Sequence, residues 1–440
     1  MSAAVCFAAF LAAMIACVIA DLSTLWALGL GIILFAVLGL KRGFSVKQMA
    51  GFAWHEGKKL VTLLIIFMMI GSLTGLWRSG GTIAWCIYYG TQIIRPKLFI
   101  LVAFCLTCLL SYALGTSFGV CGTAGIILMA LARSGGVSVP LTAGTVLAGA
   151  YFGDRCSPAS SSALLVAAVT ETRQYDNVKM MHKTALLPMA LSLAAYGILS
   201  CRNPLGTLDD ALLTEMGSTF SLGFWAVLPA LIMLILPLCK VPIRWALTAS
   251  SLAAFIVSVA VQKLPVGETV LVALRGYHGQ GALAEILSGG GVMSMLSCAV
   301  TVMTTGLLAG LLEGLHVFDG VKDKLDNIAE KIGLYPAMLL TSTAAAALFC
   351  NQSIAVMMGE SFLRDSYKAR SISPEEEALD LENSGIITAP LIPWNIAGSI
   401  PIAMMGSDAR AIPYAILLYL IPICYLFTKR WFYPKEVNKK

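Results

Sequence analysis

The sequence predicts an all-α polytopic membrane protein built from inverted repeats, with two re-entrant hairpins and two discontinuous transmembrane helices. The first observation is compositional: of 440 residues, 58% are hydrophobic and only 12% are charged, and the mean hydropathy is +0.82. Ordinary soluble domains carry about 25% charged residues, so this chain has too few for a polar surface. The second observation is that apolar runs of bilayer-crossing length recur along the chain. The third is that four longer apolar regions are interrupted by polar residues and helix breakers.

The uninterrupted runs predict eight transmembrane helices, at about 3–20, 23–40, 60–77, 184–200, 221–238, 244–262, 293–316 and 411–428. The first run is expected to be a retained helix and not a signal peptide, because no Lys or Arg precedes it. The interrupted regions are 98–133, 140–170, 335–363 and 381–406, which break at GTSFGVCG, GDRCSP, CNQS and TAPLIPWN. In a bilayer, irregular backbone is tolerated only inside protein or beside a water-filled cavity. Each interruption therefore predicts a polar site at membrane depth.

The charges of the loops predict the topology. Lys and Arg are frequent in 41–59 and in the tail 429–440, whereas 201–220 is acidic. By the positive-inside rule the first two segments are cytoplasmic and the third is external. These assignments agree with one another if 98–133 and 335–363 are hairpins that enter and leave on one side, which leaves about ten crossings. We therefore expect a multi-pass protein of the plasma (inner) membrane with both termini in the cytoplasm.

The order of elements also repeats. A helix, a short connector, a hairpin, a broken helix and a final helix occur twice, beginning on opposite sides of the membrane. Inverted repeats with paired discontinuous helices are typical of secondary transporters, whose site lies between the repeats. The expected organisation is N-terminal helices and linker, first repeat, connecting helices, second repeat and cytoplasmic tail, at 1–58, 59–200, 201–292, 293–428 and 429–440.

Several classes of function are disfavoured by the sequence. The twelve cysteines lie mostly in apolar runs without metal-ligand spacing, and the net charge of +6 is not concentrated in a basic stripe. We expect no cofactor, no disulfide framework and no nucleic-acid partner. No catalytic dyad occurs at membrane depth, so we expect a transporter and not an enzyme. The expected partners are membrane lipid and the transported ion or solute.

The four interruptions supply hydroxyl, amide and carboxylate oxygens. These are hard ligands, suited to Na⁺ more than to a soft metal. The residues predicted to bind a cation or substrate are Thr116, Ser117, Asp154, Ser157, Ser160, Ser161, Asn351, Gln352, Ser353, Thr388 and Asn395.

Asp154 is the strongest candidate among them. A charged residue at membrane depth costs about 2.5–3.5 kcal/mol on insertion scales and usually has a function. Burial opposes the charge of a carboxylate and a bound cation favours it, so Asp154 can exchange a proton for Na⁺. The alternative is a structural role, in which Asp154 pairs with Arg155 or caps the half-helix that begins near Ser157.

The roles of the other charged residues are less specific. Arg155 is either the charge partner of Asp154 or a contact for an anionic substrate. Glu313, Glu360 and Glu382 lie near predicted helix ends, and we interpret them as solvated boundary residues, with a gating or proton role as the alternative.

Four blocks carry a resemblance to a known family. GTSFGVCGTAG, GAYFGDRCSPASS, CNQSIAVMMG and LENSGIITAPLIPWNIAG resemble, in the same order, blocks of the NhaC family of Na⁺/H⁺ antiporters. The resemblance spans roughly residues 60 to 428. It implies the fold of the ion transporter superfamily, with inverted repeats and two re-entrant hairpins, and it implies a homodimer.

The chain departs from the family in its first broken helix. Family members usually read close to GDKMSPLSDTTNLAP, whereas this chain reads GDRCSPASSSALLVA. Ser161 stands at the family's second aspartate and Leu164 at its asparagine. Two hypotheses follow. One is a cation/H⁺ antiporter in which Asp154 alternates between H⁺ and Na⁺. The other is an H⁺- or Na⁺-coupled transporter or exchanger of a small organic acid or amino acid, which a less negative site favours.

Overall fold

The computed structural model describes residues 3–20, 22–206, 210–239, 241–279, 283–315, 317 and 322–433. Regular structure in these ranges is helical apart from one isolated bridge between Tyr277 and Gly289. The prediction of an all-α polytopic membrane protein is confirmed. Residues 207–209 of the predicted external loop and 434–440 of the predicted tail lie outside the described residues.

The first half of the chain forms twelve helices, α1 to α12. Helices α1 to α6 span Ala3–Ile19, Leu25–Lys41, Val46–Lys59, Val61–Ser79, Thr82–Ile93 and Phe99–Leu114. Helices α7 to α12 span Ser117–Val120, Ile126–Ser134, Val139–Cys156, Ser161–Val169, Gln174–Arg202 and Asp210–Thr219. A π-helical turn, Cys121–Gly125, joins α7 to α8. The predicted break in 98–133 is therefore confined to Gly115 and Thr116, because the chain is helical again from Ser117.

The second half forms helices α13 to α24. Helices α13 to α18 span Phe224–Leu238, Ile243–Ala260, Val266–Arg275, Ala284–Leu287, Leu296–Gly314 and Lys322–Ile332. Helices α19 to α24 span Leu334–Phe349, Gln352–Ala369, Pro374–Glu382, Gly385–Thr388, Ile396–Met404 and Ile416–Phe432.

Within the described ranges, five helical stretches are long and apolar enough to cross a membrane. The number rises to eight if each of three bent pairs is one span. One bent pair is Pro374–Leu391 with Ile396–Met404, which turn by 51° in the region predicted to be a broken helix. The other predicted broken helix is interrupted between Cys156 and Ser161. The number of crossings, the re-entrant hairpins and the inverted relation of the repeats stay predictions.

The two predicted hairpins break in the same local way. Gly115 at φ +66° precedes the N-cap Thr116, and Cys350 at φ +55° precedes the N-cap Asn351. A left-handed residue ends the first helix, and a polar side chain then caps the next helix.

Helix α9 is held close to α6 by small residues. A Cβ atom added at Gly153 would lie 2.0 Å from the Ser111 carbonyl carbon, and one added at Gly149 would lie 2.1 Å from Thr107 Oγ1. The Ser111 hydroxyl donates to the Ala150 carbonyl. Glycines four residues apart permit this backbone approach between membrane helices. The packing fixes the end of α9, where Asp154 lies.

Candidate functional site

The four helix interruptions meet inside the protein. Tyr151 on α9 donates a 2.6 Å hydrogen bond to the Ala397 carbonyl on α23. The Ser157 hydroxyl donates a 2.6 Å hydrogen bond to the Tyr112 carbonyl on α6. The Ile396 amide donates to the Cys350 carbonyl at 3.0 Å, which links the second hairpin to the second broken helix. The polar breaks therefore surround a common interior region.

Asp154 lies at the end of α9 in this region and is only 5% exposed. Its Oδ2 accepts a hydrogen bond from Ser162 Oγ at 3.0 Å. The Gln352 side chain and the Ser117 backbone N–H also lie within hydrogen-bonding reach of the carboxylate. Its partners are therefore neutral groups from α10, α20 and α7.

Two further polar groups complete these surroundings, the Ser117 hydroxyl and the Gln352 amide. The Ser117 hydroxyl is buried and has no hydrogen-bond partner among the described residues. Gln352 Nε2 donates to the Ile386 carbonyl at 3.0 Å, which fixes the orientation of the amide. A cation at Asp154 would find hydroxyl oxygens of Ser162 and Ser117 beside a carboxylate, and hard cations prefer oxygen ligands of this kind.

Arg155 does not pair with its neighbour Asp154. Its fully buried guanidinium donates to Asn383 Oδ1 at 2.7 Å, to Thr184 Oγ1 at 2.9 Å and to the Met181 carbonyl at 3.2 Å. These contacts join α9 to α11 and α21. Because protein acceptors already occupy the guanidinium, Arg155 is poorly placed to receive an anionic substrate.

Several predicted site residues cap helices. Ser160 accepts hydrogen bonds from the amides of Ser162 and Ala163, and its hydroxyl donates to the Asp154 carbonyl. Thr116, Asn351 and Asn395 likewise receive backbone amides at the starts of α7, α20 and α23. These caps satisfy amides that would otherwise be unpaired at membrane depth.

The remaining predicted residues are exposed or are hydrogen-bonded elsewhere. Ser161 and Ser353 are exposed in the structure. Thr388 donates to the Ser384 carbonyl at 2.9 Å and accepts from Thr343 at 3.0 Å, so it contacts its own helix and α19. Of the predicted set, Ser117 and Gln352 contact the Asp154 carboxylate, whereas Ser160 bonds to the Asp154 backbone carbonyl.

Glu382 was misinterpreted from the sequence. It is 0% exposed and not a solvated boundary residue, because α21 ends inside the protein and not at its surface. Among the described residues neither of its carboxylate oxygens has a hydrogen-bond partner. The sequence feature that could have indicated the burial of Glu382 is the polar run Glu382-Asn383-Ser384 within an apolar region. Glu360 is also buried, although it pairs with Arg364 at 3.0 Å, whereas Glu313 is exposed as expected.

A second ionic cluster is centred on Asp380, two residues before Glu382 on α21. Asp380 is fully buried and accepts hydrogen bonds from Tyr367 at 2.6 Å and from Tyr425 at 3.0 Å. Lys429 contacts Asp380 and also bonds to Glu376 at 2.8 Å. In contrast to Glu382, this buried carboxylate is hydrogen-bonded to a cationic side chain.

Comparison with known proteins agrees with this architecture. The sequence profile of the Na⁺/H⁺ antiporter family matches residues 1–201 and 151–429. The malate-2H⁺/Na⁺-lactate antiporter of Bacillus subtilis is 25% identical over 414 residues, which cover 91% of this chain and 88% of that protein. The Na⁺/H⁺ antiporter NhaC of Alkalihalophilus pseudofirmus is 24% identical over 383 residues, or 84% and 82% of the two chains. The arginine/ornithine antiporter ArcD of Halobacterium salinarum is 26% identical over 374 residues, or 82% and 76%.

The resemblance to NhaC antiporters noted from the four sequence blocks is thus confirmed over most of the chain. The matching proteins are transporters by name, as expected for this fold and composition. The chain belongs to the Na⁺/H⁺ antiporter family.

Proposed function

We propose that the protein exchanges Na⁺ for H⁺ across the membrane, with Asp154 binding each in turn. The observation that carries this proposal is that Asp154 is buried, has only neutral hydrogen-bond partners and forms no ion pair with Arg155. An isolated buried carboxylate is costly when it is charged. It is stabilised either by taking up a proton or by binding a cation. Competition of H⁺ and Na⁺ for one carboxylate couples the two fluxes.

The surrounding residues would bind the cation and exclude water. Ser162 and Ser117 offer hydroxyl oxygens beside Asp154, and the Gln352 amide lies within hydrogen-bonding reach of its carboxylate. Movement of the hairpins and broken helices against the remaining helices would open the site to each side alternately. We further propose that the protein is a homodimer with both termini in the cytoplasm. Within each chain, inverted repeats at 59–200 and 293–428 would provide this alternating access.

Purified protein in liposomes containing a pH-sensitive dye tests the proposal. An inward Na⁺ gradient should change the internal pH with the wild type, and this change should be lost with Asp154→Asn. Asp176→Asn is the matched control, because Asp176 is a surface acid on α11 paired with Arg173 and Lys179. An Asp154→Asn protein that exchanges at the wild-type rate would contradict the role of Asp154. A wild type that responds to none of Na⁺, Li⁺ and K⁺ would contradict cation exchange.

A second candidate function is exchange of a small organic acid or amino acid, as the names of two relatives indicate for those proteins. A cavity of about 190 Å³ favours it. The cavity is bordered by Arg78 on α4 and Arg133 on α8, whose guanidinium groups are close enough to repel one another. Among the described residues neither arginine forms a salt bridge, so a substrate carboxylate is a suitable partner.

Thermal unfolding with and without organic acids distinguishes this candidate function from exchange of cations alone. L-lactate and L-malate should raise the melting temperature of the wild type, and Arg78→Gln should abolish the rise. Arg78 is preferable to Arg133, because Arg133 also donates to the Met405 and Gly406 carbonyls and braces the end of α23. The exposed Lys97 supplies the control, Lys97→Gln. Wild-type protein that no carboxylate or amino acid stabilises would count against the organic solute.

A further inference from the structure

We propose that Glu382 is the second acidic residue of the exchange site, and that Glu382, Asp154 and Arg155 act as one charge-balanced unit. This inference rests on the proposed exchange at Asp154 and names the residue that shares its charge. Nothing in the resemblance to NhaC antiporters or in the names of the relatives assigns a role to this glutamate.

One hydrogen bond holds the unit together, and it joins the two residues that follow the acids in the sequence. Arg155, which follows Asp154, donates to Asn383, which follows Glu382, at 2.7 Å. This contact brings the end of α9 to the end of α21. Both Asp154 and Arg155 lie within electrostatic reach of the Glu382 carboxylate.

The burial of Glu382 is difficult to explain by packing alone. The side chain is 0% exposed, and in the described part of the chain both of its oxygens lack a hydrogen-bond donor. The Asn383 Nδ2 and Arg155 Nε atoms beside it are also buried without partners. Buried polar atoms are nearly always paired, and within this group the two Glu382 oxygens are the acceptors, at which a proton or Na⁺ would bind.

The charges of the three side chains indicate how the unit would take up a cation. Two ionised carboxylates and one guanidinium leave the unit with a single negative charge. One bound proton or one bound Na⁺ makes the unit neutral, and a neutral unit is the least costly state in a low-dielectric interior. The unit therefore favours uptake of one cation at a time, and the two carboxylates are alternative sites for the proton.

Several other titratable groups around α21 have their own partners, although Glu377 on the same helix is also buried with an unpaired Oε1 among the described residues. Cys156 on α9 is the further titratable neighbour of Glu382. On α19, the Tyr335 hydroxyl donates to the Asn383 and Pro422 carbonyls, both at 3.2 Å. Asp380 is balanced by Lys429 from α24, and Glu360 on α20 is balanced by Arg364. Glu382 thus remains the α21 acid whose charge depends on Arg155 and Asp154.

Stabilisation by Na⁺, measured as the rise in melting temperature with NaCl against choline chloride, tests this unit without requiring transport. Glu382→Gln removes one negative charge, so Arg155 alone neutralises Asp154 and the unit no longer needs a cation. We expect the Na⁺ concentration for half-maximal stabilisation to rise by about tenfold or more. Glu375→Gln is the matched control, since Glu375 is an exposed acid on the same helix.

The double variant Glu382→Gln/Arg155→Gln distinguishes charge balance from a structural role. It restores a single negative charge on Asp154, and we expect its Na⁺ response to be stronger than that of Glu382→Gln. A structural role predicts that two disruptive changes are worse than one. A wild-type Na⁺ response in Glu382→Gln, or no recovery in the double variant, would overturn the inference.

The liposome assay shows which proposal has failed. Loss of exchange in Asp154→Asn together with unchanged exchange in Glu382→Gln would leave the proposed function standing and remove Glu382 from it. Unchanged exchange in Asp154→Asn would remove the proposed function itself.

Discussion

Replacing Gly153 with alanine should separate α9 from α6 and displace Asp154. The added Cβ atom would lie 2.0, 2.2 and 2.3 Å from the carbonyl carbon and oxygen of Ser111 and the amide nitrogen of Tyr112. Non-bonded carbon atoms are most stable at about 3.5 Å or more, so the helices must move apart by about 1.5 Å. All three neighbours are backbone atoms, and a change of side-chain rotamer cannot relieve the contact.

The expected cost follows from this displacement. Overpacking in a close-packed interior typically costs about 1–3 kcal/mol, and a backbone clash belongs near the upper end of that range. Activity should fall further than stability does, because Asp154 directly follows Gly153. A displacement of about 1 Å at a reacting group can lower a rate by about 100-fold.

The assay is thermal unfolding in detergent, followed by Na⁺-driven pH change in liposomes. Gly197→Ala is the matched control, because Gly197 lies within α11 and a Cβ atom there would meet nothing within 4 Å. Alanine is favoured over glycine in a helix by about 0.5–1 kcal/mol, so this control should unfold at an equal or higher temperature. Equal melting temperatures for the two variants would refute the packing argument.

Substitutions at Asn395 and at Ser162 distinguish a capping role from a role in cation binding. Asn395→Ala should lower the free energy of unfolding by about 2–4 kcal/mol in a thermal or denaturant assay, because it unpairs the Ala346 carbonyl, bonded at 2.7 Å, and the Ala397 amide, bonded at 2.9 Å. Ser162→Ala should weaken Na⁺ stabilisation by about tenfold, since a hydrogen bond to a charged group contributes about 1.5–3 kcal/mol, whereas Ser161→Ala should leave it unchanged. Equal Na⁺ responses in the two serine variants would contradict the contact between Ser162 and Asp154.

The positions of the helix breaks could be predicted from the sequence because their residue types have strong local preferences. Glycine, proline and capping side chains end and begin helices wherever the fold places them. The break at CNQS and the break at GDRCSP lie where expected, between Phe349 and Gln352 and between Cys156 and Ser161.

The partners of the charged side chains could not be predicted, because they depend on contacts between distant helices. Asp154 and Arg155 are adjacent in sequence, yet Arg155 contacts Asn383, 228 residues away. Glu382 follows the acidic start of α21, so its sequence neighbours resemble those of a surface residue. The packing of α21 against α10, α11, α19 and α20 makes it an interior acid.

The same packing changes the meaning of the departure from the family pattern. Ser161 replaces the family's usual aspartate and Leu164 its asparagine, and from the sequence these changes weaken the case for cation coupling. In the structure Ser161 is exposed and Leu164 is 57% exposed, and the α10 hydroxyl that reaches the Asp154 carboxylate is that of Ser162. Under the proposal above, the acids that matter for cation coupling are those buried near Arg155, and Glu382 meets that condition without any acid at position 161.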